Sequence, residues 1–154
     1  MPSCLPQNRS SSSVLRRLGS LALLLLLAAA PMQLRAAGIH EKGPDPLVIS
    51  NGQTVDLADY LVPGKTTVFD FYSEYCPTCR SIAPDLRRLH AGRPDLVVVL
   101  VNVNRPGIKT IDWQSPVAKQ YSLPSTPQLQ VFGPDGKMLA EGKPAYRLVT
   151  GWFR

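Results

Sequence analysis

Cysteine is scarce in this 154-residue chain: there are three, at Cys4, Cys76 and Cys79. A small secreted protein stapled by disulfides carries four to eight, spread along its length, so no such framework exists here. Histidine is scarcer still, with only His40 and His90. A zinc site needs about four ligands, and neither histidine makes a ligand cluster with the cysteine pair; no metal is expected. Acidic residues are absent before Glu41, whereas four of the 17 basic residues, Arg9, Arg16, Arg17 and Arg35, precede residue 38. The remainder is then close to charge balance, at about +2, and has no electrostatic footprint for nucleic acid. Long apolar runs are missing too. The longest near the front, Leu21 to Ala30, has ten residues, about half of what a membrane-spanning helix needs. No internal repeat is present.

The front end has a recognisable pattern all the same. Arg16-Arg17, the apolar run and the small residues after it make a secretory signal peptide, with possible cuts after Ala30 or Ala37. An uncleaved N-terminal anchor is the alternative, because residues 18–34 carry no charge. The expected organisation is a leader over residues 1–37, a flexible Pro/Gly/Ala lead-in over 38–46, and one domain over 47–154. About 108 residues suffice for one hydrophobic core. The expected location is the periplasm or the outer face of the inner membrane, where disulfides persist.

Within the domain the pattern alternates. Strands are predicted at 47–49, 66–72 and 95–103, the last a nearly continuous apolar run as in a strand buried on both faces. A helix is predicted over 77–91, kinked or strained at Pro84, and a short one over 116–121. A hairpin follows, with strands at 129–132 and 138–140 joined by Pro134-Asp135-Gly136. A short helix is predicted over 145–153. The fold class is α/β: a mixed sheet in which a βαβ unit precedes a hairpin, with helices on both faces.

The chemistry sits in Tyr75-Cys76-Pro77-Thr78-Cys79-Arg80. A Cys-x-x-Cys pair in a βαβ pattern points to redox chemistry. Cys76 follows a strand and opens a helix, where free N–H groups and the helix dipole favour a thiolate. Pro77 suits the first helical position. Cys79 lies one turn on, expected to be the more shielded. A static disulfide closing so small a ring would restrict the unfolded chain little.

"VFDFYSEYCPTCRSIAP" resembles the active-site segment of thioredoxins, and "YSLPSTPQLQVFGPDGK" resembles their second landmark, a cis-proline before a strand and hairpin. The resemblance covers about residues 47–142. It implies that Cys76 is the attacking thiolate, Cys79 the resolving thiol and Asp70 a buried carboxylate that takes the Cys79 proton. It further implies a cis-proline at Pro127 and an extended client pairing with the Thr126 backbone, beside Tyr75, Pro77 and Thr78. Three departures stand out. Tyr75 replaces the usual tryptophan and Pro-Thr the usual dipeptide; Leu100 occupies the place of a lysine near Asp70; and residues 105–115 are additional, with Asp112 and Trp113 as candidates for a partner surface. Without the lysine, burial should raise the Asp70 pKa. The implied activity is thiol–disulfide exchange in a monomer, without a cofactor, most simply reduction of protein disulfides. A client-binding or assembly role with secondary redox turnover, or an oxidant of the same fold, are the alternatives. Partners are thiol or disulfide proteins and an unidentified electron donor or acceptor.

Overall fold

The computed structural model describes residues 42–153. The signal segment, Cys4, His40 and the start of the lead-in lie outside them.

Strand β1 (Leu47–Ile49), β2 (Thr66–Tyr72), β3 (Leu96–Asn102), β4 (Gln128–Phe132) and β5 (Met138–Glu141) form one sheet in the order β1-β3-β2-β4-β5. The first three are mutually parallel, and β4 and β5 add antiparallel. The β-branched runs of β2 and β3 take the centre, buried along nearly all their length, while the short β1 and β5 form the edges. Helix α1 (Pro77–Gly92) links β2 to β3, α2 (Pro116–Gln120) precedes β4, and α3 (Gly142–Thr150) closes the chain. Helix α3 starts three residues earlier than its apolar pattern suggests and ends at Thr150. Its first turn is Gly-Lys-Pro, which has no apolar residue to announce it, although Pro144 is compatible with a first turn.

Side chains alternate across the sheet. Phe69, Phe71, Val97, Val99 and Val101 pack on one face against Leu57, from a 3-10 turn at Leu57–Tyr60, and Val117 of α2. Val68, Val98, Leu100, Leu129 and Val131 pack on the other against Ile82, Leu86 and Leu89 of α1 and Ala145 and Val149 of α3. Helices therefore cover both faces, as the sequence predicts. Helix α1 continues through Pro84; the missing N–H leaves the Arg80 carbonyl without its helical partner.

Residues 42–46 are tied to the domain. The Lys42 ammonium donates to the Arg93 carbonyl, and the buried His90 ring joins two segments. His90 Nδ1 accepts from Val98 N–H at 3.0 Å, which leaves Nε2–H to donate to the Gly43 carbonyl at 2.9 Å. His90 is thus a satisfied structural residue. Among the described residues, no helix is long and apolar enough to cross a membrane.

Candidate active site

The site is built at the junction of β2 and α1. Ser73, fully buried, accepts the Tyr75 N–H on its hydroxyl at 3.1 Å and the Cys76 N–H on its carbonyl at 3.1 Å. This turn ends with Cys76 as the N-cap of α1, in extended backbone (φ −89°, ψ 115°), and Pro77 as the first helical residue. The Cys79 N–H points at Cys76 Sγ, 3.1 Å away. One of the orphan donors at the helix start is therefore spent on that sulfur, the arrangement that favours a thiolate once the bond is reduced. Cys76 and Cys79 are joined as a disulfide, with Cα atoms 5.2 Å apart.

The sequence expectation that Cys79 is the more shielded sulfur is corrected: both cysteines are 3% exposed. Cys76 is covered by a segment 50 residues away, because the Thr126 carbonyl oxygen lies 3.4 Å from its sulfur. The Thr126–Pro127 peptide is cis. Pro77 and Thr78 are exposed, and Tyr75 is half-buried. Thr126 Oγ1 is buried with no hydrogen-bond partner among the described residues.

Asp70 projects from the α1 side of β2, in one row with Val68 and Tyr72, and is 2% exposed. Strand and helix run antiparallel, so the C-terminal end of β2 meets the N-terminal end of α1. Cys79 is the first buried position of the α1 stripe 79–82–86–89, which places Asp70 toward Cys79 rather than Leu89. Leu100 is directly opposite Asp70 in the parallel register, so the neighbouring strand offers methyl groups and no cation. Asp70 Oδ1 has no hydrogen-bond partner. Burial alone pushes its pKa up to about 7, as desolvation of an unpaired carboxylate must. Tyr72, half-buried on the same face, is raised first by burial and then by the Asp70 charge; the sequence gives no sign of that coupling beyond the i, i+2 spacing.

The additional segment flanks Tyr75, forming a shallow pocket with Glu74, Arg105, Ile108 and Lys109. Asp112 does not present a partner surface, which corrects the sequence expectation. It is 4% exposed and bound to Arg105, at 2.7 Å to Nε and 3.0 Å to Nη2, and also accepts the Arg105 and Gln114 N–H groups. The carboxylate is the hub that folds the loop back on itself. Trp113 is 41% exposed. Gly52 completes the clamp: at φ +80° it approaches so closely that a Cβ would meet the Arg105 backbone N at 2.6 Å.

The hydrogen bond from Arg105 leads the causes that hold Asp112 below the usual carboxylate range. Asp112→Asn should cost about 2 kcal/mol at pH 7, below the fully buried range because Arg105 reaches solvent. A depressed carboxylate contributes above its unfolded pKa and loses that contribution as pH falls through the folded one. Urea melts of the two proteins should therefore converge toward pH 3; a gap of equal size at pH 3 and pH 7 would assign the loss to shape rather than charge.

No group of three or more His, Cys, Asp or Glu side chains is placed to hold a metal ion among the described residues. The thioredoxin family model matches residues 53–148. Thioredoxin from Streptomyces clavuligerus is 31% identical over 96 residues, which cover 60% of this chain and 80% of that protein. Thioredoxin from Chlamydia trachomatis is 33% identical over 82 residues, 53% of this chain and 71% of that one. Among solved structures, a designed protein superposes with a TM-score of 0.51 at 20% identity, over 73% of this chain and 95% of its own, a likeness of fold alone. A five-stranded mixed sheet, a dithiol pair closed at a helix start and a family match spanning most of the described residues together show that this chain belongs to the thioredoxin family and is a thiol–disulfide oxidoreductase.

Proposed function

We propose that this oxidoreductase is exported and reduces protein disulfides in the periplasm, either free or held at the outer face of the inner membrane by an uncleaved leader. Export rests on the leader's arrangement of Arg16-Arg17, the apolar run to Ala30 and the absence of acidic residues before Glu41. The domain limits follow: leader 1–37, lead-in 38–46, catalytic domain 47–154.

In the reduced protein the Cys76 thiolate attacks one sulfur of a client disulfide. A mixed disulfide forms, and the other client sulfur leaves as a thiolate and takes a proton. The Cys79 thiol then gives its proton to Asp70 and attacks Cys76 Sγ. The Cys76–Cys79 disulfide closes, and the second client thiol is released. Two electrons have passed to the client, and an upstream dithiol must return them to this protein. The observation that carries the exchange chemistry is the Cys76–Cys79 disulfide closed at the start of α1, with the buried Asp70 on the α1 side of β2. The reductant direction is supported by the likeness of Asp70, Ser73-Glu74-Tyr75-Cys76 and the Asn51 to Tyr60 entry to exported reductants of this fold. A thiol ordinarily near 8.5 has to lose its proton in the closing step, and a base poised near the working pH takes it most effectively. An extended client strand would pair with the Thr126 backbone, with Tyr75, Pro77 and Thr78 alongside.

Equilibrating the full chain against glutathione redox buffers tests the direction. A potential more negative than about −200 mV is expected of a reductant; a value near −120 mV would make the protein an oxidant.

A further inference from the structure

A groove opens off Pro127 between the Ser125–Gln128 segment and the first turns of α3. It is lined by Pro127, Gln128, Gly142, Lys143, Tyr146 and Arg147. It is one residue from the dithiol along the chain, since Thr126, the residue before Pro127, lies against Cys76. Lys143 and Arg147 are four residues apart and so share one helix face, while Ala145 and Val149 bury the opposite face in the core. Both cations are exposed, and neither side chain has a hydrogen-bond or ion-pair partner among the described residues. The neighbouring acid, Glu141, is engaged: its Oε1 accepts from Gln130 Nε2 at 2.9 Å. Helix α3 begins at a glycine because position 142 has φ +62°, a backbone conformation that residues with a Cβ rarely adopt.

We infer that this groove selects clients whose extended segment carries acidic residues next to the attacked cysteine, their carboxylates held between Lys143 and Arg147 while apolar parts rest on Pro127 and Tyr146. The inference rests on the disulfide-reductase reading of the same site and names its substrate class. Two unpaired cations of one sign beside a strand-pairing site attract a carboxylate-bearing segment and repel a basic one, which shapes both encounter rate and register.

The test uses the full chain, pre-reduced with a small dithiol, in single-turnover reduction of three cystine peptides at low ionic strength. The peptides differ only in the residues flanking the cysteines: aspartate, serine or lysine. Exposed contacts of this kind are individually modest, so the aspartate peptide should react about five- to tenfold faster than the lysine peptide, with the ratio falling as salt is added. In Lys143→Gln/Arg147→Gln the ratio should fall toward one. Arg88→Gln/Lys137→Gln removes the same formal charge at exposed positions away from the groove and should keep it. Equal rates on all three peptides, or a preference that survives Lys143→Gln/Arg147→Gln or vanishes in Arg88→Gln/Lys137→Gln, would overturn the acidic-client inference while leaving the reductase intact. Failure of the wild-type protein to reduce even the serine peptide would overturn the reductase reading itself.

Discussion

Cys76→Ser should abolish turnover of protein disulfides, lowering the rate by at least about a thousandfold, because the helix-start position that stabilises the attacking thiolate is then occupied by a hydroxyl. Cys76 is the sulfur at the N-cap of α1 and the one facing Thr126, whereas Cys79 sits one turn into the helix. The two serine variants therefore should differ in kind. Cys79→Ser keeps the attacking thiolate and removes the group that resolves the intermediate, so it should accumulate mixed disulfides with clients, visible as reducible adducts on non-reducing gels. Cys76→Ser should accumulate none. Alkylation of the reduced protein near pH 6.5 should modify Cys76 much faster than Cys79, since the helix start and the Cys79 N–H stabilise its thiolate. Equal alkylation rates, or adducts trapped by both variants, would reverse or erase the assignment of roles.

Asp70→Asn is expected to make the protein more stable and less active at once. The carboxyl is fully buried, lacks a partner on Oδ1, and has its pKa raised from 3.8 to about 7 by burial. The native state therefore holds a proton that the unfolded chain has already lost between about pH 4 and pH 7, and stability falls as pH rises through that window. Above pH 7 the accumulated cost is about 4 kcal/mol, at about 1.4 kcal/mol per unit. The neutral amide escapes it. At pH 8 the variant's unfolding midpoint should lie on the order of 10 °C above wild type, and below pH 4 the two should coincide. On the proposed mechanism the same substitution removes the acceptor for the Cys79 proton. Release of the mixed disulfide should slow about a hundredfold at pH 7, with the first attack by Cys76 nearly unchanged. Wild-type stability that does not decline between pH 4 and pH 7 would show that Asp70 is hydrated or paired.

On the proposed mechanism, the buried carboxylate that lowers stability at Asp70 is also the group that takes the Cys79 proton. The carboxylate is costly because Leu100 stands opposite it, where the family resemblance leads one to look for a lysine. A neighbouring cation would lower the pKa and blunt both effects. Leu100→Lys is thus the natural companion to Asp70→Asn, since it adds a charge where the other removes one.

Much of this was open to inspection in the chain itself. Continuous β-branched runs give strands wherever they occur, so β2 and β3 fall within a residue or two of their expected limits. A cysteine between such a strand and a proline-started amphipathic helix is bound to be an N-cap, because chain direction and capping are decided within a few residues. Alternation about Phe69 and Phe71 put Asp70 on the opposite face of β2 from theirs. These are short-range properties, and the sequence by itself determined them.

What only the tertiary structure decided are contacts between segments far apart in sequence. The shielding of Cys76 comes from Thr126, 50 residues on. The burial of Asp112 depends on Arg105 folding back against Gly52, so a residue that looks like a free acid in a polar loop is spent inside the protein. Lys143 and Arg147 become the rim of a groove only because α3 starts against Gln128, beside Pro127. Periodicity reports which face of an element is apolar; it carries no information about which distant segment comes to lie on it. That is settled by how the elements and the loops between them pack in the assembled fold.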